Sequence, residues 1–291
     1  MTTQANPTTD VLKISILTAL GLALMKFAAG YLTHSLALIA SGLDSAMDMA
    51  TSFVNFIAAR EAAKPPDEDH AYGHGKIESL ASLFQSLLIG LSGLFVTVES
   101  VRRFVGGTYL HDIESGIIVM ITSIILTLLL IWKLKQTAEH SHSLILKTEK
   151  LHYSMDVLTN GGAIAALVLV RITGLVFWDL LCSLAVALYI FKTSYKIFRG
   201  AVDELLDKSL PPVSKEEIEN LIQNFNPVIG GLHNFRSRRV GAQIFLDFHV
   251  EIRGEEDFKK AHLMTEDLID KIREKYPEAD VTVHYDPEGE R

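Results

Sequence analysis

Two pairs of potential metal ligands recur with the same four-residue spacing inside apolar stretches. Asp44 and Asp48 form the first pair, and His152 and Asp156 form the second. Residues four apart project from one face of a helix, so each pair would point to one place. Charged groups at membrane depth are costly unless they are paired or bind a cation, which makes these pairs a candidate functional site. Facing each other, they would supply three carboxylates and one imidazole, a donor set that suits zinc and also cadmium or manganese.

A purely structural role for these four residues is the alternative. Buried polar side chains in membrane helices also bond one helix to another. Asp44, Asp48 and Asp156 would, however, repel one another if they came together without a cation. The metal site is therefore the stronger hypothesis, and its imidazole favours a borderline metal over magnesium or calcium.

Two further groups of potential ligands lie outside the apolar stretches. Asp67, His70 and His74 fall in a glycine-containing turn, where they could clamp an ion or stay solvated. The C-terminal third contains a more scattered set: His233, His249, His262, His284 and Asp286. Side chains alternate between the faces of a strand, so His284 and Asp286 would share one face. Histidines on strands are often only hydrogen-bonded surface residues, and both interpretations stay open for this set.

The elements that must position these ligands are mostly hydrophobic. Hydrophobic residues make up 48% of the 291 residues, and the mean hydropathy of +0.25 is too high for an ordinary soluble enzyme. The net charge of −8 comes from residues 201–291, which hold 20 acidic and 12 basic side chains. We therefore expect a membrane protein with an acidic, soluble C-terminal domain that binds no nucleic acid, because phosphate contacts need a basic surface. The single cysteine, Cys182, excludes an intrachain disulfide and a thiolate zinc site.

Six apolar segments are long enough to cross a bilayer, which needs about 20 residues. They cover Leu12–Leu32, Leu36–Ala59, Ile77–Val101, Ile117–Leu134, Leu151–Ile172 and Leu180–Ile197. Lysine and arginine are concentrated after the second, fourth and sixth segments, which predicts that this side and both termini are cytoplasmic. Lys26 lies in the middle of the first segment, where it could snorkel to an interface, line the bundle or take part in function. The short polar N-terminus has no basic region, so we expect no cleaved signal peptide.

A soluble domain is predicted after the last apolar segment. Pro211 and Pro212 end the helical pattern, and we place the two domains at residues 1–207 and 208–291. Residues 216–225 have the pattern of a short helix that starts with a Ser214–Glu217 capping box. Strand, strand, helix and strand follow at Gly231–Arg239, Gln243–Ile252, Glu255–Tyr276 and Ala279–His284. This αββαβ order predicts a small α+β domain with its helices on one face of the sheet.

These motifs resemble the cation diffusion facilitator family, and within it the YiiP-type bacterial zinc exporters. The resemblance covers nearly the whole chain. It rests on the six spans, the DxxxD motif at Asp44, the HxxxD motif at His152, the loop motif that ends at His74-Gly75-Lys76, and the histidine-bearing C-terminal domain. It implies a homodimer in the bacterial inner membrane, with a transport site at the four paired ligands of each protomer and a metallochaperone-like C-terminal fold.

The resemblance also implies two further metal sites. Asp67, His70 and His74 would form a loop site. A binuclear site at the interface between the C-terminal domains would use His233, His249, His262, His284 and Asp286. Relatives often have glutamine before the last aspartate of that site, whereas this chain has Tyr285.

The expected function is secondary active export of Zn(II), and also Cd(II), from the cytoplasm in exchange for protons. Metal binding requires a neutral imidazole and ionised carboxylates, so metal and protons compete for the same atoms, with His152 the natural group to titrate near neutral pH. Zn(II) would be both the transported and the regulatory ion. The alternatives are an Fe(II) or Mn(II) exporter, a membrane metal sensor without transport, and a membrane metalloenzyme. Catalytic zinc sites usually keep three protein ligands and an open position for water, so four inward ligands favour transport and predict no enzyme activity.

Overall fold

The computed structural model of the chain describes residues 7–33, 36–106, 117–141, 143–175, 177–210, 212–254 and 257–289. The chain separates into two compact units, Met1–Val202 and Asp203–Arg291, which we call the N-terminal unit and the C-terminal unit. The predicted helix start at Glu255 and the predicted helix break at Pro211 lie outside the described residues.

The N-terminal unit contains five long helices and most of a sixth within its described part. They are α1 (Pro7–Thr33), α2 (Leu36–Ala62), α3 (Lys76–Gly106), α4 (Ile117–Ser141), α5 (Leu144–Thr173) and α6 (Phe177–Leu205). At a rise of about 1.5 Å per residue, each is long enough to cross a hydrocarbon core of roughly 30 Å. By length and composition together, α1 and α3 to α6 qualify as membrane spans, whereas α2 does not. A crossing by α2 therefore stays a prediction, which its 27 residues and its packing along α1 support.

Apolar side chains both fill the interior of this unit and cover its outside. One buried cluster joins α1, α4 and α5 and includes Leu12, Leu134, Ile145 and Tyr153. Large apolar side chains also point outwards and are more than half exposed, among them Leu17, Leu91, Leu129 and Leu188. Apolar surface of this extent suits a lipid environment better than water.

A glycine lets α1 and α2 approach each other closely. A Cβ atom added at Gly42 would lie only 2.9 Å from the ring of Phe27 on α1. A small residue at such a crossing allows a side chain of one membrane helix to pack against the backbone of the other. The close approach also brings Lys26, the neighbour of Phe27, against α2, where its Nζ contacts Ser45.

The C-terminal unit contains a three-stranded sheet and two helices. Its elements are α7 (Pro212–Phe225), β1 (Ile229–Val240), β2 (Gln243–Ile252), α8 (Phe258–Lys275) and β3 (Ala279–Pro287). The strand β2 lies in the centre, antiparallel to β1 and parallel to β3. Parallel neighbours need a crossover connection, which α8 provides. The predicted αββαβ order is confirmed.

One face of this sheet forms the core of the C-terminal unit. Alternate residues of β2, including Leu246 and Phe248, are buried with Ile218 of α7 and Leu268 of α8. Because side chains alternate along a strand, His249 lies on the opposite face, away from these core residues. The helices therefore cover one face and leave the other for polar side chains.

Several helix ends differ from the sequence predictions, three of them in ways that the sequence explains. The helix α7 begins at Pro212, so Ser214 lies inside its first turn and the predicted capping box with Glu217 is wrong. Proline suits the first helical position, because the N–H that it lacks would have no helical partner there. The helices α4 and α5 extend beyond the predicted apolar segments, to Ser141 and back to Leu144. The apolar pattern marks the part of a helix that could lie in a membrane and misses the polar turns that continue it.

Candidate metal centres

The first candidate centre lies between α2 and α5. Nε2 of His152 lies 3.0 Å from Oδ1 of Asp48. One ligand atom from each of Asp48, His152 and Asp156 lies within 4.8 Å of the other two. The four-residue spacing puts His152 and Asp156 on one face of α5, and that face meets Asp48 of α2. Two carboxylates and one imidazole at these distances could bind a divalent metal ion.

Asp44 lines the same cavity but lies outside this group of three. The cavity has a volume of about 420 Å³ and is lined by side chains from α1 to α6. Asp44 is exposed and lies one helical turn before Asp48. The structure therefore brings three of the four predicted ligands together, and a fourth ligand from Asp44 requires a movement of its side chain or of α2.

A buried carboxylate beside this centre was not predicted from the sequence. Glu149 of α5 is fully buried, and its carboxylate accepts hydrogen bonds from the side chains of Ser52 and Asn55 on α2. Gln85 of α3 donates to the same carboxylate at 3.4 Å. The hydroxyl of Tyr153 lies 2.9 Å from the Ser52 hydroxyl, where it extends the network. The network joins α2, α3 and α5 next to the candidate centre.

Sequence spacing carried a signal for this network. Ser52 follows Asp48 by four residues, and Glu149 precedes His152 by three. Both residues therefore continue the faces that carry the candidate ligands by one helical turn. What the spacing did not show is that these two faces meet.

The second candidate centre lies in the turn between α2 and α3. Asp67, His70 and His74 each offer a ligand atom within 4.8 Å of the other two. Nε2 of His74 lies 3.2 Å from Oδ2 of Asp67. The backbone N–H of His70 donates to Asp67 at 2.7 Å and holds the pKa of the Asp67 carboxyl below its ordinary value. Nδ1 of His74 is buried and has no hydrogen-bond partner among the described residues, so Nε2, which faces Asp67, is the nitrogen that could bind an ion in this centre.

The third candidate centre lies on the open face of the sheet in the C-terminal unit. His233, His249 and His284 occupy matched positions on β1, β2 and β3, so three imidazoles form a row across the strands. Nε2 of His233 and Nδ1 of His249 lie 3.0 and 2.9 Å from the same carboxylate oxygen of Asp286. The hydrogen bond from His249 holds the pKa of the Asp286 carboxyl below its ordinary value. Nε2 of His233, which faces Asp286, is the nitrogen of this residue that could bind an ion in the centre.

The two remaining predicted residues of this set behave differently. Nε2 of His284 lies 3.0 Å from the second carboxylate oxygen of Asp286, and its ring centroid lies 4.6 Å from that of His249. His262 is exposed on α8, whose buried side packs against the other face of the sheet. The structure thus gathers four of the five residues within one protomer. The part of His262 in a binuclear site stays a prediction.

Two family models match the chain. The cation efflux transmembrane domain matches residues 12–206, and the cytoplasmic domain of cation efflux proteins matches residues 210–288. The cation-efflux pump FieF of Pectobacterium atrosepticum is 36% identical over 269 residues, which cover 92% of this chain and 89% of that protein. Protein p34 of Rickettsia prowazekii is 32% identical over 278 residues, which cover 95% of this chain and 91% of that protein. A solved structure of CzrB in its zinc form is 32% identical, with a TM-score of 0.28, and covers 29% of this chain and 97% of its own.

These matches agree with the architecture described above. The apolar helices and the centre between α2 and α5 fall within the matched transmembrane domain, and the row of histidines falls within the matched cytoplasmic domain. The predictions of a multi-pass membrane protein and of a C-terminal α+β domain are confirmed. Since the transmembrane match alone covers more than half of the residues, the chain belongs to the cation efflux family of transporters, the cation diffusion facilitators.

Proposed function

We propose that this member of the family exports Zn(II), and also Cd(II), from the cytoplasm in exchange for protons. The observation that carries the proposal is the group of Asp48, His152 and Asp156 at a cavity among apolar helices. Asp44, which lines the same cavity, is proposed as a fourth and weaker ligand of the bound ion. Because ligation needs ionised carboxylates and a neutral imidazole, protons and metal compete for the same atoms. A proton gradient can therefore release the ion on one side of the membrane and allow rebinding on the other.

The donor set supports zinc as the main substrate. Imidazole nitrogen binds borderline metals well, whereas calcium and magnesium prefer oxygen donors alone. Fe(II) and Mn(II) accept the same mixed donors and are the alternative substrates. Comparison of these metals in one transport assay decides among them.

The loop and the C-terminal centres are proposed as regulatory zinc sites. Their donor sets fit zinc, and in each centre three ligand atoms lie within 4.8 Å of one another. We propose that the protein is a homodimer and that zinc at the C-terminal centre favours pairing of the two C-terminal units. Such a population shift requires that the paired arrangement binds zinc more tightly than the separate one. His262 of one protomer would then complete a site with the other protomer.

The proposed location is the inner membrane of a bacterium, with both termini in the cytoplasm. Lysine and arginine concentrate towards the C-terminal ends of α2, α4 and α6 and at the start of the helices or turns that follow, which supports this orientation. The FieF and p34 relatives are bacterial proteins. The predicted domain boundary between residues 207 and 208 falls in the interval between the two family matches, which supports it.

Metal flux into proteoliposomes with an imposed pH gradient tests the proposal. Zinc, cadmium, manganese and ferrous iron are compared for the native chain and for Asp156→Ala. Asp10→Ala is the matched control, because it removes an exposed carboxylate from the first turn of α1. We expect zinc uptake that follows the proton gradient, is lost in Asp156→Ala and remains in Asp10→Ala. Binding of zinc without flux of any metal would contradict the exporter and leave a membrane metal sensor.

A further inference from the structure

A lysine shares the cavity with the acidic residues. Lys26 of α1 lines the cavity, and its Nζ donates to Oγ of Ser45 at 2.8 Å. A longer contact of 3.5 Å joins Nζ to the carbonyl oxygen of Ser41. Both partners lie on α2, on either side of Gly42, where the two helices approach closely. The ammonium group is therefore held inside the bundle, so snorkelling to an interface does not describe its position.

The net charge of the side chains around the cavity balances the charge of a divalent ion. Among the lining residues that the structure describes, the carboxylates are Asp44, Asp48 and Asp156, and the lysine is Lys26. Because the ammonium and the three carboxylates line the same cavity, opposite charges face one another across it. With a neutral imidazole, these groups leave two negative charges. A divalent ion brings the total to zero, whereas without the lysine it would leave the cavity negatively charged.

We infer that Lys26 is a built-in counter-ion that competes with the transported metal for the same carboxylates. The inference rests on the proposed metal site. An ammonium close to a divalent ion repels it, and this repulsion is strong where little water screens it, so Lys26 weakens metal binding. In the metal-free cavity, the same ammonium partly neutralises carboxylates that would otherwise be costly to bury. Lys26 thus raises the free energy of the metal-loaded cavity and lowers that of the metal-free cavity. Both effects help the ion to leave.

A structural tether is the competing explanation for Lys26. In that case its hydrogen bond to Ser45 would only hold α1 against α2. The two explanations differ in what an uncharged side chain does to metal affinity. Loss of a counter-ion tightens metal binding, whereas loss of a tether loosens the bundle and leaves binding unchanged or weaker.

Equilibrium zinc binding by the full chain in lipid nanodiscs distinguishes the two. All variants carry His74→Ala and His249→Ala, which weaken the loop and C-terminal centres, and zinc is titrated against a chelating indicator. Lys26→Met and Lys26→Gln remove the charge and keep most of the side-chain length, and Lys26→Arg keeps the charge. Lys13→Met is the matched control, because Lys13 is an exposed lysine on the same helix.

We expect Lys26→Met and Lys26→Gln to bind zinc roughly tenfold more tightly or better, because a repulsive charge has been removed. Lys26→Arg should restore an affinity close to the native one, and Lys13→Met should not change it. In proteoliposomes, the two uncharged variants should show a lower KM and a lower maximal flux, since tighter binding slows release. A purely structural role would not lower KM.

Asp156→Ala in the same background separates failure of the inference from failure of the proposed function. If Asp156→Ala leaves zinc binding intact, the metal site itself is wrong and the inference falls with it. The other outcome is that Asp156→Ala abolishes binding while both uncharged Lys26 variants bind zinc no more tightly than the same double-variant background with Lys26. That result would disprove only the counter-ion role of Lys26. Failure of both uncharged variants to fold would also overturn the inference, because it would show that Lys26 is required as a tether.

Discussion

The side-chain amide of Asn55 donates to the carboxylate of Glu149, and both residues are buried inside the N-terminal unit. A buried carboxylate is tolerated when donors satisfy its oxygens. Ser52 and Gln85 supply the other donors, so three residues on two helices converge on one acidic side chain of a third. The ligand-bearing faces of α2 and α5 are therefore held together by a polar contact immediately beside the candidate metal centre.

Glu149→Ala should destabilise the protein and reduce transport. Removal of the carboxylate leaves buried donors without a partner, which should lower the free energy of unfolding by about 2–3 kcal/mol. Glu139→Ala is the control, because Glu139 is 63% exposed and forms a long ion pair of 3.9 Å with Lys135. Its effect should stay within about 0.5 kcal/mol. Denaturant unfolding in mixed micelles measures both, and equal effects would contradict a stabilising role for the network.

Asp48 and Asp44 should contribute unequally to metal affinity. Asp48 belongs to the group of close ligand atoms, whereas Asp44 lines the cavity outside that group. We predict that Asp48→Asn raises the Kd for zinc by a factor at least about ten times larger than Asp44→Asn does. A tenfold change in Kd corresponds to about 1.4 kcal/mol of binding free energy. Zinc titration of the two variants makes the comparison. Equal losses would show that Asp44 moves fully into the site when zinc binds.

His249 and His262 should differ in their importance to the C-terminal centre. His249 contacts Asp286 at 2.9 Å, whereas His262 is exposed on α8. His249→Ala should abolish the zinc-dependent change in distance between the two C-terminal units of a dimer. His262→Ala should retain the first zinc ion and lose only a second, weaker one. Distance measurements between spin labels, together with metal counting per protomer, check both outcomes, and an unchanged response in His249→Ala would refute this role.

Glu217 ties α7 to the end of α8. Its carboxylate accepts a hydrogen bond from the Tyr276 hydroxyl at 2.6 Å and pairs with Lys275 at 2.9 Å. These contacts, led by the bond from Tyr276, hold the pKa of Glu217 below its ordinary value. Burial and the Glu217 carboxylate raise the pKa of Tyr276 to about 12, so its hydroxyl remains a donor throughout the neutral range.

This pairing predicts an acid-sensitive contribution to stability. A carboxyl whose folded pKa is depressed stabilises the fold above its unfolded pKa, near 4.3, and the effect is lost as the pH falls through the folded value. Glu217→Gln should therefore speed amide hydrogen exchange in α8 at pH 7, and its difference from the native chain should shrink as the pH falls from about 5 towards 3. Glu216→Gln, at an exposed neighbouring position, should show no such pH dependence. A difference that is constant with pH would argue against the ionised pair.

Local geometry explains which parts of the sites could be predicted from the sequence. The shared face of His152 and Asp156 follows from helix periodicity alone. The partners of Glu149, in contrast, lie 94 and 64 residues away on α2 and α3, and only helix packing brings them together. No spacing rule along one helix encodes that contact.

The C-terminal centre shows the same division between local and distant determinants. His284 and Asp286 are two residues apart on one strand, and the structure places them 3.0 Å apart. The alignment of His233 with His249 depends on an irregularity in β1 between His233 and Arg236, where Asn234 has a φ of 51°. A one-residue change of register turns side chains to the other face of a sheet. The pattern of alternating residues found the strands but could not reveal this irregularity.

The row of histidines on the open face of the sheet has a further consequence for the folding of the C-terminal unit. His233 and Asp286 meet although 53 residues separate them, so a metal ion held by both would close more than half of this unit into a loop. Closing a loop of that length lowers the conformational entropy of the unfolded chain. By the chain-entropy estimate for a cross-link, this corresponds to a free energy of about 4 kcal/mol. The only cysteine, Cys182, lies in the N-terminal unit, so no disulfide can do this. A regulatory ion at this position would act as a reversible cross-link that stabilises the folded C-terminal unit. Loss of the metal would then make this unit more sensitive to proteolysis and would also change how it pairs with its copy.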